Sequence, residues 1–498
     1  MLTLINTNTM RPPITPVGLD YISGAAKKAD IDTEIIDLCL ENNPEKALKK
    51  YFNNKNPELV GLSFRNVDDC FWPSAQWFVP NLGQLIDTIR SLTDAPIVIG
   101  GIGFSIFAEQ ILNCTGAEFG IRGDGEDAIV QLYQQLHSNR NFPTLSGSFE
   151  MKIDGLLWKE DGKIYSNKPA WPKELKLDTS RESIDNAEYF KRGGQCGIET
   201  KRGCNQNCLY CADPIAKGTF LRTRAPADVA DEIQGLVKKG IDVFHICDSE
   251  FNVPGEHAYA VCEELVNRRL GRKIKWYTYM SITPFDSALA SIMRKAGCVG
   301  IDFTTDAASP VMLRTYRHKY FKEDISKAVK LCRDNKITVM TDLLLGGPGE
   351  TVQSLAETIA FMKKVNPDCV GAGLGVRIYP GTGMERIISL EGQAESNPNI
   401  KRKYTGPIDL LKPTFYISQA LGERPAVLVR DLIGEDNRFF PPDVEPEGDM
   451  TGSSQEQIQK GTSLNDHNYN ENLELVEAIR KGARGAFWDI LRKQRICP

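Results

Sequence analysis

Three cysteines stand within eight residues of one another: Cys204, Cys208 and Cys211, in the run Lys201-Arg202-Gly203-Cys204-Asn205-Gln206-Asn207-Cys208-Leu209-Tyr210-Cys211. The spacing is C-x3-C-x2-C, on a loop directly after a short strand signal. Three thiolates on so short a loop can hold three irons of a [4Fe–4S] cube, because such clusters are ligated by cysteine. The motif lacks a fourth cysteine, which leaves one iron open to a substrate or cofactor. Zinc is the rival metal, but structural zinc wants four closed ligands and only Cys196 stands close by. The chain holds 13 cysteines; the number is odd and the rest are scattered, which argues against a disulfide framework. Cys39, Cys114, Cys247, Cys262, Cys332 and Cys369 fall inside apolar patterns and read as small buried hydrophobes.

The elements that must position this loop alternate between strand and helix. In residues 1–137, strand signals at Leu2–Thr7, Thr33–Leu38, Glu58–Phe64, Ala95–Gly101 and Phe119–Gly123 enclose helical stretches at Pro16–Ala29, Glu45–Phe52, Phe78–Leu92 and Glu126–Leu136. That rhythm implies a parallel sheet covered on both faces, with ligands at the carboxyl ends of its strands. Polar or glycine-rich loops stand there: Asn8–Met10, Ser63–Asp69, Gly100–Ser105 and Gly123–Glu126. Residues 138–195 lose the rhythm and read as a linker crossing between domains, with a β-hairpin over Ile153–Lys168. The rhythm returns over 196–390. Strands are expected at Gly197–Thr200, Asp242–Cys247, Lys273–Met280, Val299–Thr304, Thr338–Leu345 and Cys369–Tyr379, separated by helices. Six such units predict a (β/α)6 partial TIM barrel, whose chemistry gathers at the C-terminal strand ends. Residues 391–498 are mixed: a loop-like stretch (Pro441–Ser463) and one amphipathic helix from Glu471 to Lys493. Asp466-His467-Asn468-Tyr469 and Phe487-Trp488-Asp489 are read as closing over the barrel mouth, or equally as helix capping and core packing.

Composition narrows the function classes. Apolar residues at 41% and charged residues at 25% of 498 are ordinary globular values. A net charge of -5 offers no general electrostatic case for nucleic acid or an anionic membrane. No run of about 18 uncharged apolar residues suggests a membrane span. The N-terminus has no signal-peptide pattern, so the cytoplasm is the expected compartment.

The cysteine loop resembles that of the radical S-adenosylmethionine (SAM) superfamily, whose C-x3-C-x-aromatic-C motif Cys204, Cys208, Tyr210 and Cys211 match. The resemblance implies that the open iron chelates SAM and that Tyr210 sits beside the adenine. Cys247-Asp248-Ser249-Glu250 stands where the family often has Gly-Gly-Glu; Glu250 fits as a contact to the methionyl amine, while the two glycines are replaced. Thr304 and Asp306 end the strand expected to meet the ribose. Leu345-Gly346-Gly347-Pro348-Gly349-Glu350-Thr351 resembles the family's G-x-P-G-E-T turn, placing Gly346 and Gly347 at SAM.

Residues 1–137 resemble the Rossmann-like cobalamin-binding domain that precedes many radical SAM barrels, on Arg11-Pro12-Pro13, Pro16-Val17-Gly18-Leu19, Asp37, Gly100-Gly101 and Arg122-Gly123-Asp124-Gly125-Glu126. This implies cobalamin contacts at Thr9, Ser63, Asn66, Asp68, Gly100, Gly101, Phe104, Gly123, Gly125 and Glu126. The first histidine of the chain is His137, so no D-x-H-x-x-G ligand exists. Cobalamin is therefore expected base-off and without a histidine ligand, with polar groups of Ser63–Asp69 near its lower face.

Cobalamin, cluster and SAM together imply methylation of an unactivated carbon. In the family one SAM methylates cobalt to give methylcobalamin, and a second yields the 5′-deoxyadenosyl radical that takes a hydrogen from substrate. A ferredoxin- or flavodoxin-like donor is the implied reducing partner. The soluble acidic chain favours a peptide or protein side chain, such as a residue of methyl-coenzyme M reductase, over a small molecule. A radical cyclase, hydratase or rearrangement enzyme acting on a tetrapyrrole, lipid or antibiotic precursor is the runner-up. A non-catalytic corrinoid or cluster sensor is the reading from another class. His245 and His318 lie near strand ends, and no catalytic residue is singled out.

Overall fold

The computed structural model describes residues 1–138, 151–392, 394–445 and 469–496. Two seven-stranded sheets organise it. In the first, Leu2–Asn6 is fully buried and pairs in parallel with Thr33–Asp37 on one side and Leu59–Ser63 on the other. Ile97–Gly100 and Phe119–Ile121 continue the parallel set. The chain thus reverses its winding direction between Leu2–Asn6 and Leu59–Ser63. A doubly wound sheet opens a crevice for ligands at such a switch point.

The expected hairpin forms as Leu156–Glu160 and Lys163–Ser166, turned by Asp161 and Gly162, both at positive φ. Rather than standing in a free linker, it extends the first sheet, pairing antiparallel with Phe119–Ile121. The glycine stretch after Ile97–Gly100 was expected as a loop, but Ile102–Ile106 and Ala108–Cys114 are helical there. Gly101, at φ +104, makes the bend that starts them; a Cβ there would come 2.5 Å from the Phe64 carbonyl oxygen.

The second sheet is wholly parallel and follows chain order: Cys196–Ile198, Val243–Ile246, Lys275–Met280, Cys298–Asp306, Thr338–Leu345 and Cys369–Leu374. Helices Pro226–Lys238, Gly255–Asn267, Ser287–Lys295, Lys322–Asp334 and Val352–Val365 return the chain between strands. This is the expected six-unit partial barrel. Phe439–Phe440 adds a short seventh strand beside Cys369–Leu374. The strand expected to run to Tyr379 instead breaks at Gly375, φ +96; Val376–Arg377 then joins a small antiparallel sheet with Thr414–Tyr416 and Ile400–Arg402.

The C-terminal helix expected from Glu471 to Lys493 is two, Leu473–Arg480 and Phe487–Ile496. Gly482 (φ +104) and Gly485 (φ +145) separate them in conformations that no helix holds. Their apolar faces pack with Val243, Tyr277, Met340 and Cys369, near the N-terminal ends of the barrel strands. They therefore plug the barrel from the end opposite the one where a lid would close. Asp466, His467 and Asn468 lie outside the described residues. Cys114 is exposed and Cys247 half-buried, unlike Cys39, Cys262, Cys332 and Cys369, which are buried as expected.

Candidate active site

The loop after the first barrel strand is shaped by its own backbone contacts. Gly203 takes φ +90, and a Cβ there would meet the Phe220 carbonyl oxygen at 2.1 Å. Cys204 N–H donates to Gly218 O (3.1 Å), and Leu209 N–H to Tyr316 O (3.3 Å). Burial first, then Asp306, Cys204 and Glu250, push Cys208 up to about 12, and Cys208 and Cys204 add to the raising of Cys211, which burial and Asp213 dominate. Buried thiols of this kind are stabilised as thiolates once metal cations replace their protons.

Asp248 stands where the resemblance led to the expectation of glycine, and its side chain fixes the backbone there. Its buried carboxylate accepts from Thr200 N–H (2.8 Å), Thr200 Oγ1 (2.5 Å) and Lys201 N–H (3.2 Å), tying the second strand's end to the first. Two residues on, Glu250 Oε1 accepts from Thr304 Oγ1 at 2.7 Å, while Oε2 is buried without a hydrogen-bond partner. Burial raises this carboxyl to about 8, against the lowering effects of Thr304 and Lys201. An orphaned buried carboxylate oxygen beside the cysteine loop is what an ammonium group would fill.

Asp306, at φ +57 on a bulge in its strand, receives the Tyr210 hydroxyl and the His318 ring, the latter at 2.6 Å. Gly346 (φ +89) begins the next turn, and its N–H donates to Glu350 Oε2. Gly347 leaves no room for a side chain, since a Cβ would lie 2.2 Å from the Tyr316 hydroxyl. Cys204, Cys208, Cys211, Tyr210, Glu250, Thr304, Asp306, Gly346 and Gly347 thus gather on the C-terminal end of the barrel.

A cavity of about 690 Å³ lies between the two sheets, within the size range of enclosed ligand sites. The first sheet contributes Asn6 and Ser63 at the switch point, with Arg65, Asn66, Gly100, Gly101, Gly123, Gly125 and Glu126; the barrel contributes Asp213, Lys217, His245, Ser249 and Tyr279. Of the expected cobalamin residues, three lie off its wall. Phe104 is wholly buried in the core, Asp68 is committed to Arg377 (2.8 Å), and Thr9 is exposed beside the wall residue Asn8. Gly18 and Gly100 line the cavity, and a Cβ on either would find nothing closer than 3.8 Å, so it would stand in space that a large flat ligand can take.

Glu126 reaches the wall, yet its carboxylate is held by Arg202 at 2.8 Å, and neighbouring Asp124 by Arg222 at 3.0 Å. That acidic turn fastens the first sheet to the barrel. His137 pairs with Glu58, and neither lines the cavity. The sequence reading missed Arg65 and Tyr279 as wall residues and left His245 undecided. Arg65 was inside a flagged loop, whereas Tyr279 carried no local signal. Burial lowers His245 to about 4, so the ring is neutral, and its Nδ1 has no partner.

Residues 4–133 match the family of B12-binding domains and residues 198–362 the radical SAM superfamily. Tryptophan 2-C-methyltransferase of Streptomyces laurentii is 28% identical, over 97% of this chain and 94% of that one. The anaerobic magnesium-protoporphyrin IX monomethyl ester cyclase of Cereibacter sphaeroides is 26% identical over 71% of this chain and 57% of its own. Among solved structures, the radical SAM methyltransferase TsrM of Kitasatospora setae, with tryptophan and an aza analogue of SAM bound, superposes with a TM-score of 0.87 at 28% identity, covering 99% of this chain and 98% of that one. TsrM with cobalamin and a [4Fe–4S] cluster bound gives 0.85. OxsB, a cobalamin-dependent SAM radical enzyme at 16% identity and TM-score 0.68, shares the fold. Two domain families in this order, joined around one cavity and matched nearly end to end by a methyltransferase, lead to one conclusion: the chain belongs to the cobalamin-dependent radical SAM methyltransferases.

Proposed function

We propose that this enzyme transfers a methyl group from SAM to a ring carbon of a small indole substrate, tryptophan first among them. The observation that carries the reading is the single cavity that both halves line, which ends at Tyr279, Tyr469, Phe487 and Trp488. Aromatic walls suit a flat aromatic ring. The end-to-end likeness to a tryptophan methyltransferase supports it. The peptide or protein substrate expected from an acidic, soluble chain gains no support from any of these relatives, and a small molecule takes its place.

When bound, cobalamin would supply a carrier for the methyl group, and the cluster an electron and an iron open to SAM. The chain's own residues do the positioning. Cys204, Cys208 and Cys211 would hold three irons on a loop that Gly203 and the Gly218 carbonyl shape. Glu250 offers its free oxygen to the amino group of SAM, with Thr304 fixing the carboxylate's rotation. Tyr210, Asp306 and His318 form a hydrogen-bonded shelf for the nucleoside, and Gly346 and Gly347 let the turn approach it closely. Ser63, Asn66, Gly100, Gly101, Gly123, Gly125 and Glu126 border the corrin compartment. Asp68 and Phe104 are buried behind it, Thr9 lies at its exposed edge beside Asn8, and no histidine of the first domain reaches it. Trp488 seals the barrel's far end against water. A one-electron donor of the ferredoxin or flavodoxin type completes the system.

The test is anaerobic reconstitution with iron, sulfide and hydroxocobalamin, then incubation with tryptophan and SAM carrying a deuterated methyl group. Mass spectrometry should find a ring-methylated tryptophan with the label intact. Release of 5′-deoxyadenosine in step with product would support hydrogen abstraction by the adenosyl radical; product without it would show direct delivery to the carbon. Retention of both cofactors with no labelled indole would overturn the substrate reading.

A further inference from the structure

The barrel lumen holds a carboxyl group that the roles above do not use. On strand Cys298–Asp306, alternate residues face one side. Thr304 bonds Glu250 at the SAM level, and Gly300 lies against Tyr277 and Trp488 of the plug, 2.5 and 3.0 Å from where its Cβ would be. Asp302, between them, therefore points into the lumen one layer below Glu250. It is 4% exposed, its Oδ1 has no hydrogen-bond partner, and neither oxygen forms an ion pair among the described residues. Its strand neighbour in register is Tyr279, which lines the cavity, and the Tyr279 ring stands 4.9 Å from that of His245. Burial raises the Asp302 carboxyl well above its ordinary range, and Asp342, on the next strand, lies close enough to raise it further.

A buried carboxyl with no partner costs stability, and proteins keep such groups where a ligand completes them. Two adjacent carboxyls repel a carboxylate and attract a cation. An ammonium group carries three donors, and the carboxyl of Asp302 and the hydroxyl of Tyr279 offer acceptors for them. We propose that Asp302 is the seat of the substrate's ammonium group, making a protonated amine, and not the aromatic ring alone, the feature by which this enzyme selects its substrate. The proposal rests on the small-molecule reading above and gives it a second determinant: an amino acid or arylalkylamine whose amine sits below SAM while its ring lies along the aromatic wall.

Binding tests it without turnover. Calorimetry on the reconstituted enzyme should find that tryptophan and tryptamine bind while indole-3-propionic acid binds roughly 100-fold more weakly, the scale of breaking a buried charge pair in a site. Asp302→Asn should weaken tryptophan by a similar factor and leave indole-3-propionic acid unchanged. In turnover it should raise KM more than it lowers kcat. The unliganded variant should melt no lower than the parent; a merely structural carboxyl would lower it. Equal affinity for tryptophan and indole-3-propionic acid, or an Asp302→Asn variant with unaltered tryptophan binding, overturns the proposal. Should no indole bind, the same comparison with phenylalanine against 3-phenylpropionic acid and phenethylamine decides. Asp302-dependent preference for the amines keeps the seat while the indole reading fails, and no such preference overturns both.

Discussion

Arg181→Met probes what holds the two halves of the enzyme around their shared cavity. Arg181 stands in the segment between the sheets and is 2% exposed. It donates to Asp20 Oδ2 (2.7 Å) on helix Val17–Lys28, to Glu232 Oε1 (2.7 Å) on helix Pro226–Lys238, to Asn186 Oδ1 (2.6 Å) and to the carbonyl of Gly197 (3.0 Å) in the first barrel strand. Removing it leaves Glu232 with Arg224 at 2.6 Å and Tyr21 at 2.9 Å, so that carboxylate stays compensated. Asp20 keeps only Asn186 and the Ser183 N–H, both at 3.1 Å, and becomes a buried charge without a cation. Breaking a buried pair by deleting one partner costs about 3–5 kcal/mol. Because only one of the two carboxylates is stranded, the expectation is the lower end, about 3 kcal/mol, a factor of roughly 150 in the equilibrium. Urea unfolding followed by tryptophan fluorescence measures it, with cobalamin retained after gel filtration as the functional readout; both should fall together. Arg181→Lys should lose less, since the charge survives and the forked geometry does not. Asp20→Leu in the Arg181→Met background should restore much of the loss. A variant within about 1 kcal/mol of the parent, the worth of a surface pair, would refute the view that this network clamps the domains.

Three further outcomes follow from the site. Cys208→Ala should drop the reconstituted protein from about four irons per chain to near none, as measured by iron content and the EPR signal after reduction; full iron would mean that the loop is not the ligand set. Gly203→Ala must force a Cβ to within 2.1 Å of the Phe220 carbonyl at φ +90. It should cost about 1–3 kcal/mol locally and show as loss of cluster with the rest of the fold retained by circular dichroism. Burial pushes Glu350 up to about 7 against the lowering effect of the Gly346 and Gly347 N–H groups. Its folded value lies above its unfolded one, so its contribution is full below about pH 4.5 and lost as pH rises through about 7, close to 3 kcal/mol. Glu350→Gln should flatten that part of the stability–pH curve, and an unchanged slope from pH 5 to 7 would refute the assignment.

Much of this protein was legible along the chain because the signals are local. The period-two and helical patterns depend on neighbours a few residues apart, and strand Thr338–Leu345 and helix Lys322–Asp334 fall where those patterns end. The cysteine loop is likewise local: three ligands within eight residues need no tertiary information to be recognised. What no local pattern showed were the partners that a distant part of the chain supplies. Glu126 stands in a glycine turn that lines the cavity, yet its carboxylate is held by Arg202, 76 residues on, and neighbouring Asp124 is held by Arg222, 98 residues on. Asp68 is claimed by Arg377 in the same way. The hairpin reads as linker until the open edge of Phe119–Ile121 takes it up.

The sequence alone thus determined the chemistry's inventory: which side chains can ligate iron, which turns need glycine, how many βα units exist and in what order. Only the tertiary structure decided where those pieces meet. The switch point of one sheet and the strand ends of the other enclose a common cavity. The C-terminal helices enter the barrel from below, and among the described residues Asp302 Oδ1 is left without a hydrogen-bond partner in the lumen. The reason is physical. Backbone periodicity and ligand spacing are fixed by covalent neighbours, whereas burial, charge pairing and cavity shape depend on residues brought together from far along the chain, and no local pattern encodes those partners.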